Sequence, residues 1–129
     1  MAALAKLAHA VIGAPEDLPS PILDRHPELA GARWRRGGFL PRVAGCLLGQ
    51  RSVAGVTLWR TVFLGRNAPM SVELLLHELR HVQQFESSRA FPIEYLWETL
   101  RSGYYRNRFE RDAREYAAAR LMAPRSGDP

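Results

Sequence analysis

The chain has 129 residues, 47% hydrophobic and 24% charged, which suits one domain with its own core and excludes global disorder and a two-domain arrangement. Its net charge of +5 comes from 18 Lys+Arg against 13 Asp+Glu; the arginines are scattered rather than blocked, so they read as a solvated surface and nucleic acid is not the expected partner. The single cysteine, Cys46, excludes an intrachain disulfide and a Cys-based zinc knuckle, and a lone thiol fits a reducing cytoplasm, the expected location.

The first segment, Met1 to Ala14, lacks the basic start of a signal peptide, and Lys6 and His9 interrupt it. It predicts a short amphipathic helix over residues 2–13, stopped by Gly13, with Pro15, Pro19 and Pro21 as a rigid connector. A helical turn is expected around Ile22–Ala30. From Arg33 to Leu64, glycines 37, 38, 45, 49 and 55 punctuate short apolar stretches in the manner of a small antiparallel meander. Its best strand is Val56–Leu64, rich in β-branched and aromatic residues. Residues 65–69 form a turn, and Ser71 or Pro69 opens a helix to about Glu86, with Leu75, Leu79 and Val82 on one stripe. A second helix, Pro92–Ser102, places Ile93, Leu96, Trp97 and Leu100 on one face and stops at Gly103. A third runs from about Arg108 to Met122. The expected fold is α+β: about three antiparallel strands packed on the 71–86 helix and further helices, as one domain over 1–124 with a flexible tail over 125–129. No stretch approaches the ~18 uninterrupted apolar residues of a membrane span.

The informative segment is Leu75-Leu76-His77-Glu78-Leu79-Arg80-His81. Histidines at i and i+4 project from one helix face, so both imidazoles can reach one metal at about 2.0–2.1 Å. Glu78 then sits beside the open metal position, where it can take a proton from bound water as general base. The expected metal is Zn2+. A catalytic zinc needs a third protein ligand; His9 and His26 lie upstream and no histidine follows the motif, so a downstream carboxylate is expected.

Glu86 is too close on the same helix, Glu94 and Glu98 lie on an intervening helix, and Asp128 is in the tail. On the third helix, Glu110 shares a stripe with Ala113 and Ala117, whose small side chains allow close approach to the motif helix. Glu115 lies about 140° around that helix and is the alternative. The metal ligands are therefore expected to be His77, His81 and Glu110.

These residues resemble the gluzincin branch of zinc metallopeptidases, which pair His-Glu-x-x-His with a glutamate on a later helix. The 28 residues between His81 and Glu110 (82 to 109) are similar to the spacing in compact minigluzincins. Glu110-Arg111-Asp112-Ala113 resembles the Glu-x-x-Ala start of the ligand motif in ImmA/IrrE-like and HtpX-like peptidases, although Arg114 stands where those families carry Asn or Asp. The resemblance covers about residues 55–124. It implies a zincin-like fold and hydrolysis of a peptide or protein substrate, with the Val56–Leu64 strand at the cleft edge, able to pair with an extended peptide. A non-catalytic, zinc-stabilised module that binds a protein or peptide is the alternative.

Gln83 and Gln84 are expected to face solvent. Tyr95, Tyr104, Tyr105 and Tyr116 include possible stabilisers of a tetrahedral intermediate, with aromatic packing the simpler reading. Arg101, Tyr104, Tyr105, Arg106 and Arg108 mix base and aromatic as single-strand nucleic-acid clamps do, and equally as a plain surface does.

Overall fold

The computed structural model describes residues 1–47 and 54–123; the tail expected over 125–129 and Gly49 lie outside the described residues. Within them, six α-helices, a 3-10 turn and a mixed four-stranded sheet make an α+β fold.

The motif helix, α4 (Val72–Ser87), begins where the Ser71 hydroxyl accepts the Leu74 N–H at 3.1 Å, satisfying one of the free donors of a helix start. Its apolar stripe, Leu75, Leu76, Leu79 and Val82, is buried against the sheet and against α6 (Arg108–Met122). Ala113 and Ala117 of α6 are fully buried at that contact, as their small size allows. Between them in sequence runs α5 (Phe91–Ser102), started by Pro92 in its first turn and closed by Gly103 at φ 80°. The core continues through Leu29, Trp34, Val62 and Leu64.

The sheet departs from the expected three-strand antiparallel meander. Its strands are β1 (Ala14–Pro15), β2 (Arg33–Arg36), β3 (Gly55–Leu58) and β4 (Thr61–Leu64), in the order β1-β2-β4-β3, and β2 runs parallel to β4. A parallel pair needs a crossover, and helix α3 (Leu40–Leu47) lies within it. Pro41 falls in the first turn of α3, where its missing N–H costs nothing, so it gave no warning of strand or helix.

The single strand expected over Val56–Leu64 is a hairpin. Trp59 takes φ 54° and turns the chain so that Leu58 pairs with Thr61. Tight hairpins normally use Gly or Asn for that conformation. Here the Trp59 ring lies 5.5 Å from that of Phe85, a tertiary contact invisible to local pattern.

Two further helix faces turn away from the core. The first helix, α1 (Ala2–Ile12), has no buried residue, so it is not amphipathic toward this core. α5 buries Phe91 and Tyr95, while Ile93, Leu96, Trp97 and Leu100, the stripe read from periodicity as one face, are exposed. The turn expected at 22–30 is split into α2 (Ser20–Arg25) and the 3-10 turn Pro27–Gly31.

Candidate metal centre

His77 and His81 stand one turn apart on α4 with ring centroids 5.0 Å apart. Glu110, in the first turn of α6, reaches between them. Its Oε2 lies 2.9 Å from His77 Nε2 and its Oε1 lies 3.1 Å from His81 Nε2. One ligand atom from each residue falls within 4.8 Å of the others. Donors about 2.0–2.1 Å from a common tetrahedral centre stand about 3.3 Å apart, close to the two separations between the imidazoles and the Glu110 carboxylate. Two imidazoles and one carboxylate are also the donor chemistry of a catalytic zinc with an open fourth position. Glu115 is exposed on the far side of α6 and does not approach the cluster.

Glu110 is held from four directions. Besides the imidazoles, Tyr95 donates its hydroxyl to Oε1 at 2.6 Å and Tyr104 donates to Oε2 at 3.1 Å. Burial opposes the charge of the carboxylate, but the hydrogen bonds from His77, His81 and Tyr95 outweigh it and hold Glu110 well below the usual carboxylate range. Burial and then the charge of Glu110 push both tyrosines above their ordinary values, so both keep their protons and act as donors. At His81, burial disfavours the charged ring, yet the Glu110 carboxylate and then Glu78 raise it to about 9.

The support for His81 comes from a residue expected to face solvent. Gln84 is 8% exposed, and its Oε1 lies 2.7 Å from His81 Nδ1. The Gln84 amide donates to the Phe109 carbonyl at 3.0 Å and to Asp112 Oδ2 at 2.9 Å, which fixes its oxygen toward the imidazole. An amide oxygen only accepts, so His81 Nδ1 carries the proton and Nε2 faces the cluster. Asp112 is itself gripped by Arg80 Nε at 2.8 Å; that bond, then the one from Gln84, lowers its pKa. The chain thus supplies ligand support from Gln84, Asp112, Tyr95 and Tyr104 where Arg114 provides none to the cluster; Arg114 instead donates to the Tyr105 carbonyl.

Glu78 does not join the three ligand atoms. It is 5% exposed and turns toward β3, where Thr57 Oγ1 donates to its Oε2 at 2.8 Å. A Cβ on Gly55 would stand 3.1 Å from Glu78 Cδ, so the glycine makes the space the carboxyl fills. Beside this cluster opens a pocket of about 290 Å³, lined by Glu78, His81 and Glu110 together with the apolar Phe85, Phe91 and Leu96.

The basic-aromatic cluster does not assemble as one surface. Tyr104 turns inward to Glu110, while Tyr105 is exposed with Arg114 stacked 4.6 Å over its ring. Residues missed from sequence were Thr57, Gly55 and Asn107; only Asn107, preceding a helical run, carried a local signal, that of an N-cap.

No family model, no curated protein and no solved structure matches this chain.

Proposed function

We propose that the protein is a zinc-dependent peptidase of zincin-like, gluzincin type. The observation that carries this reading is the convergence of His77, His81 and Glu110, with Glu78 at the adjacent face of the same helix. These three side chains would hold the metal. Bound there, zinc supplies a Lewis acid that polarises a carbonyl and acidifies water.

The chain's own residues do the rest. Glu78, steadied by Thr57, takes the proton from the attacking water and returns it to the leaving amine. Tyr104, protonated and lining the pocket, offers its proton to the carbonyl oxygen as that gains charge by leaving Glu110 Oε2, to which it otherwise donates. The apolar lining of the pocket excludes water and takes an apolar side chain of a peptide.

Metal analysis of purified protein together with cleavage of unfolded polypeptides tests this. Stoichiometric zinc is expected, retained in Glu78→Gln while cleavage is lost. Glu110→Ala sharply weakens zinc retention and Glu115→Ala leaves it intact. Protein that takes up no zinc, or cleavage unchanged by Glu78→Gln, rules the reading out. A second reading, a zinc-stabilised peptide-binding module, is favoured by the apolar pocket: peptide binding with no cleavage by the zinc-loaded wild type would establish it.

A further inference from the structure

α1 is largely apolar and, among the described residues, touches its neighbours only lightly. None of its 11 residues is buried, and Leu4 and Leu7 are 71% and 61% exposed. A helix with so little polar surface belongs within a protein interior or at a lipid interface.

The helix is nonetheless firmly attached. Gly13 and Gly38, at φ 75° and 87°, approach so closely that a Cβ on Gly38 would lie 2.5 Å from the Gly13 nitrogen. Arg35 satisfies the helix end, donating Nε to the Ile12 carbonyl at 3.0 Å and Nη2 to the Gly13 carbonyl at 2.7 Å. The Phe39 N–H donates to the Ala10 carbonyl at 3.0 Å, so α3 starts beside α1. Phe39 and, on α3, Leu40 and Val43 are also exposed.

Charge distinguishes the occupants of such a surface. Neither α1 nor α3 contains Asp or Glu; their charged side chains are Lys6 and Arg42, both exposed. The acid-free stretch is longer than the helices, since no acidic residue occurs between Glu28 and Glu73. A second copy would bring two acid-free cationic surfaces together. Nucleic acid would leave Leu4 and Leu7 without a complement. An anionic bilayer surface matches both properties.

We infer that α1, with the neighbouring exposed part of α3, docks on an anionic lipid surface. Leu4, Leu7 and Val43 enter the interface while Lys6 and Arg42 meet lipid phosphates. At about 1.5 Å per residue α1 lies in the interface plane, and no helix among the described residues is long and apolar enough to cross a membrane.

Co-sedimentation of the full chain with vesicles of phosphatidylcholine plus phosphatidylglycerol, against pure phosphatidylcholine, tests this. Binding is expected to the mixed vesicles alone, weakening as salt rises. The doubles Leu4→Glu/Leu7→Glu and Lys6→Glu/Arg42→Glu should each weaken it by about tenfold or more. Both should keep the wild-type circular dichroism and thermal melt, since α1 buries no residue and Arg42 on α3 is exposed. Equal binding to the two vesicle types, no binding to either, or full binding by Leu4→Glu/Leu7→Glu would overturn the inference. So would self-association in sedimentation velocity, or single-stranded DNA binding, without vesicle binding.

Discussion

Thr57 donates its hydroxyl to the Glu78 carboxylate at 2.8 Å, bridging the edge strand β3 to the motif helix. The same hydroxyl lies 3.3 Å from the Glu78 carbonyl, so one side chain ties both ends of the residue. Hydrogen bonds to a charged group contribute about 1.5–3 kcal/mol, and a base acts only within a narrow geometry. Thr57→Val should therefore lower kcat for peptide cleavage by about tenfold to a hundredfold, with KM and zinc content near wild type. Thr57→Ser restores the donor and should recover most of the rate. Gly55→Ala attacks the same carboxyl sterically, because its Cβ would stand 3.1 Å from Glu78 Cδ. A fall in zinc content in Thr57→Val would mean that the strand supports the metal ligands rather than the base.

Gln84 offers a different test, since it touches a ligand and no reacting group. Its amide relays Asp112 to His81 Nδ1 and so sets which imidazole nitrogen faces Glu110 and the proposed metal position. Loss of such outer support costs about tenfold to a hundredfold in metal affinity. Gln84→Leu should show that loss in competition with a zinc chelator. Gln83→Leu is the matched control, since Gln83 accepts from Arg80 and, among the described residues, does not touch His81. Equal affinities for the two variants would remove the relay from the account.

The motif helix and the ligand helix were legible because both announce themselves locally. Leu75, Leu79 and Val82 mark one stripe, Ser71 caps it, and Ala113 and Ala117 mark the close contact that brings Glu110 to the histidines. What escaped was whatever depends on the partner surface. Gln84 has the pattern of a surface residue until Asp112 and Phe109 arrive from α6 to satisfy its amide. α5 shows a clear apolar stripe at Ile93, Leu96, Trp97 and Leu100, yet Tyr95 is turned inward, where it donates to Glu110. Trp59 turns a hairpin without glycine, and its ring, though mostly exposed, lies 5.5 Å from that of Phe85 on α4. None of these can be derived from periodicity, which reports one helix or strand at a time.

Asn107 joins the supports of Glu110 and is fully buried. Its Oδ1 accepts the Phe109 N–H at 2.8 Å as the cap of α6. Its Nδ2 donates to the Tyr95 carbonyl at 3.1 Å and to Thr99 Oγ1 at 3.0 Å, clamping α5 to the start of the ligand helix. Losing a cap costs about 1 kcal/mol, and stranding buried acceptors adds about 1–3 kcal/mol. Asn107→Ala should destabilise the fold by about 2–4 kcal/mol in chemical denaturation. Asn107→Asp keeps the cap oxygen but loses the donors, so an intermediate loss is expected. Equal losses would place the whole effect in the two donor contacts to α5 and none in the cap.

Glu28 gives the fold a pH dependence away from the metal cluster. On the 3-10 turn it accepts from Arg120 Nε of α6 at 2.9 Å, joining residues 92 positions apart. Partial burial opposes its charge, but its own backbone N–H, then Arg120 and then His26 together lower its pKa. The folded state therefore binds fewer protons than the unfolded chain between the depressed value and the ordinary ~4.3. Stability from this contact is fully present above the unfolded value and is lost as pH falls through the folded one. Arg120 is 38% exposed on its side chain, so solvent screening limits the contribution to about 1 kcal/mol or less. Melting curves of wild type and Glu28→Gln should differ by a constant amount above about pH 6 and converge below about pH 4. Arg120→Met should abolish most of that difference at neutral pH. A gap between wild type and Glu28→Gln that widens on acidification would show that the carboxylate is destabilising in the folded protein and that Arg120 does not compensate its burial.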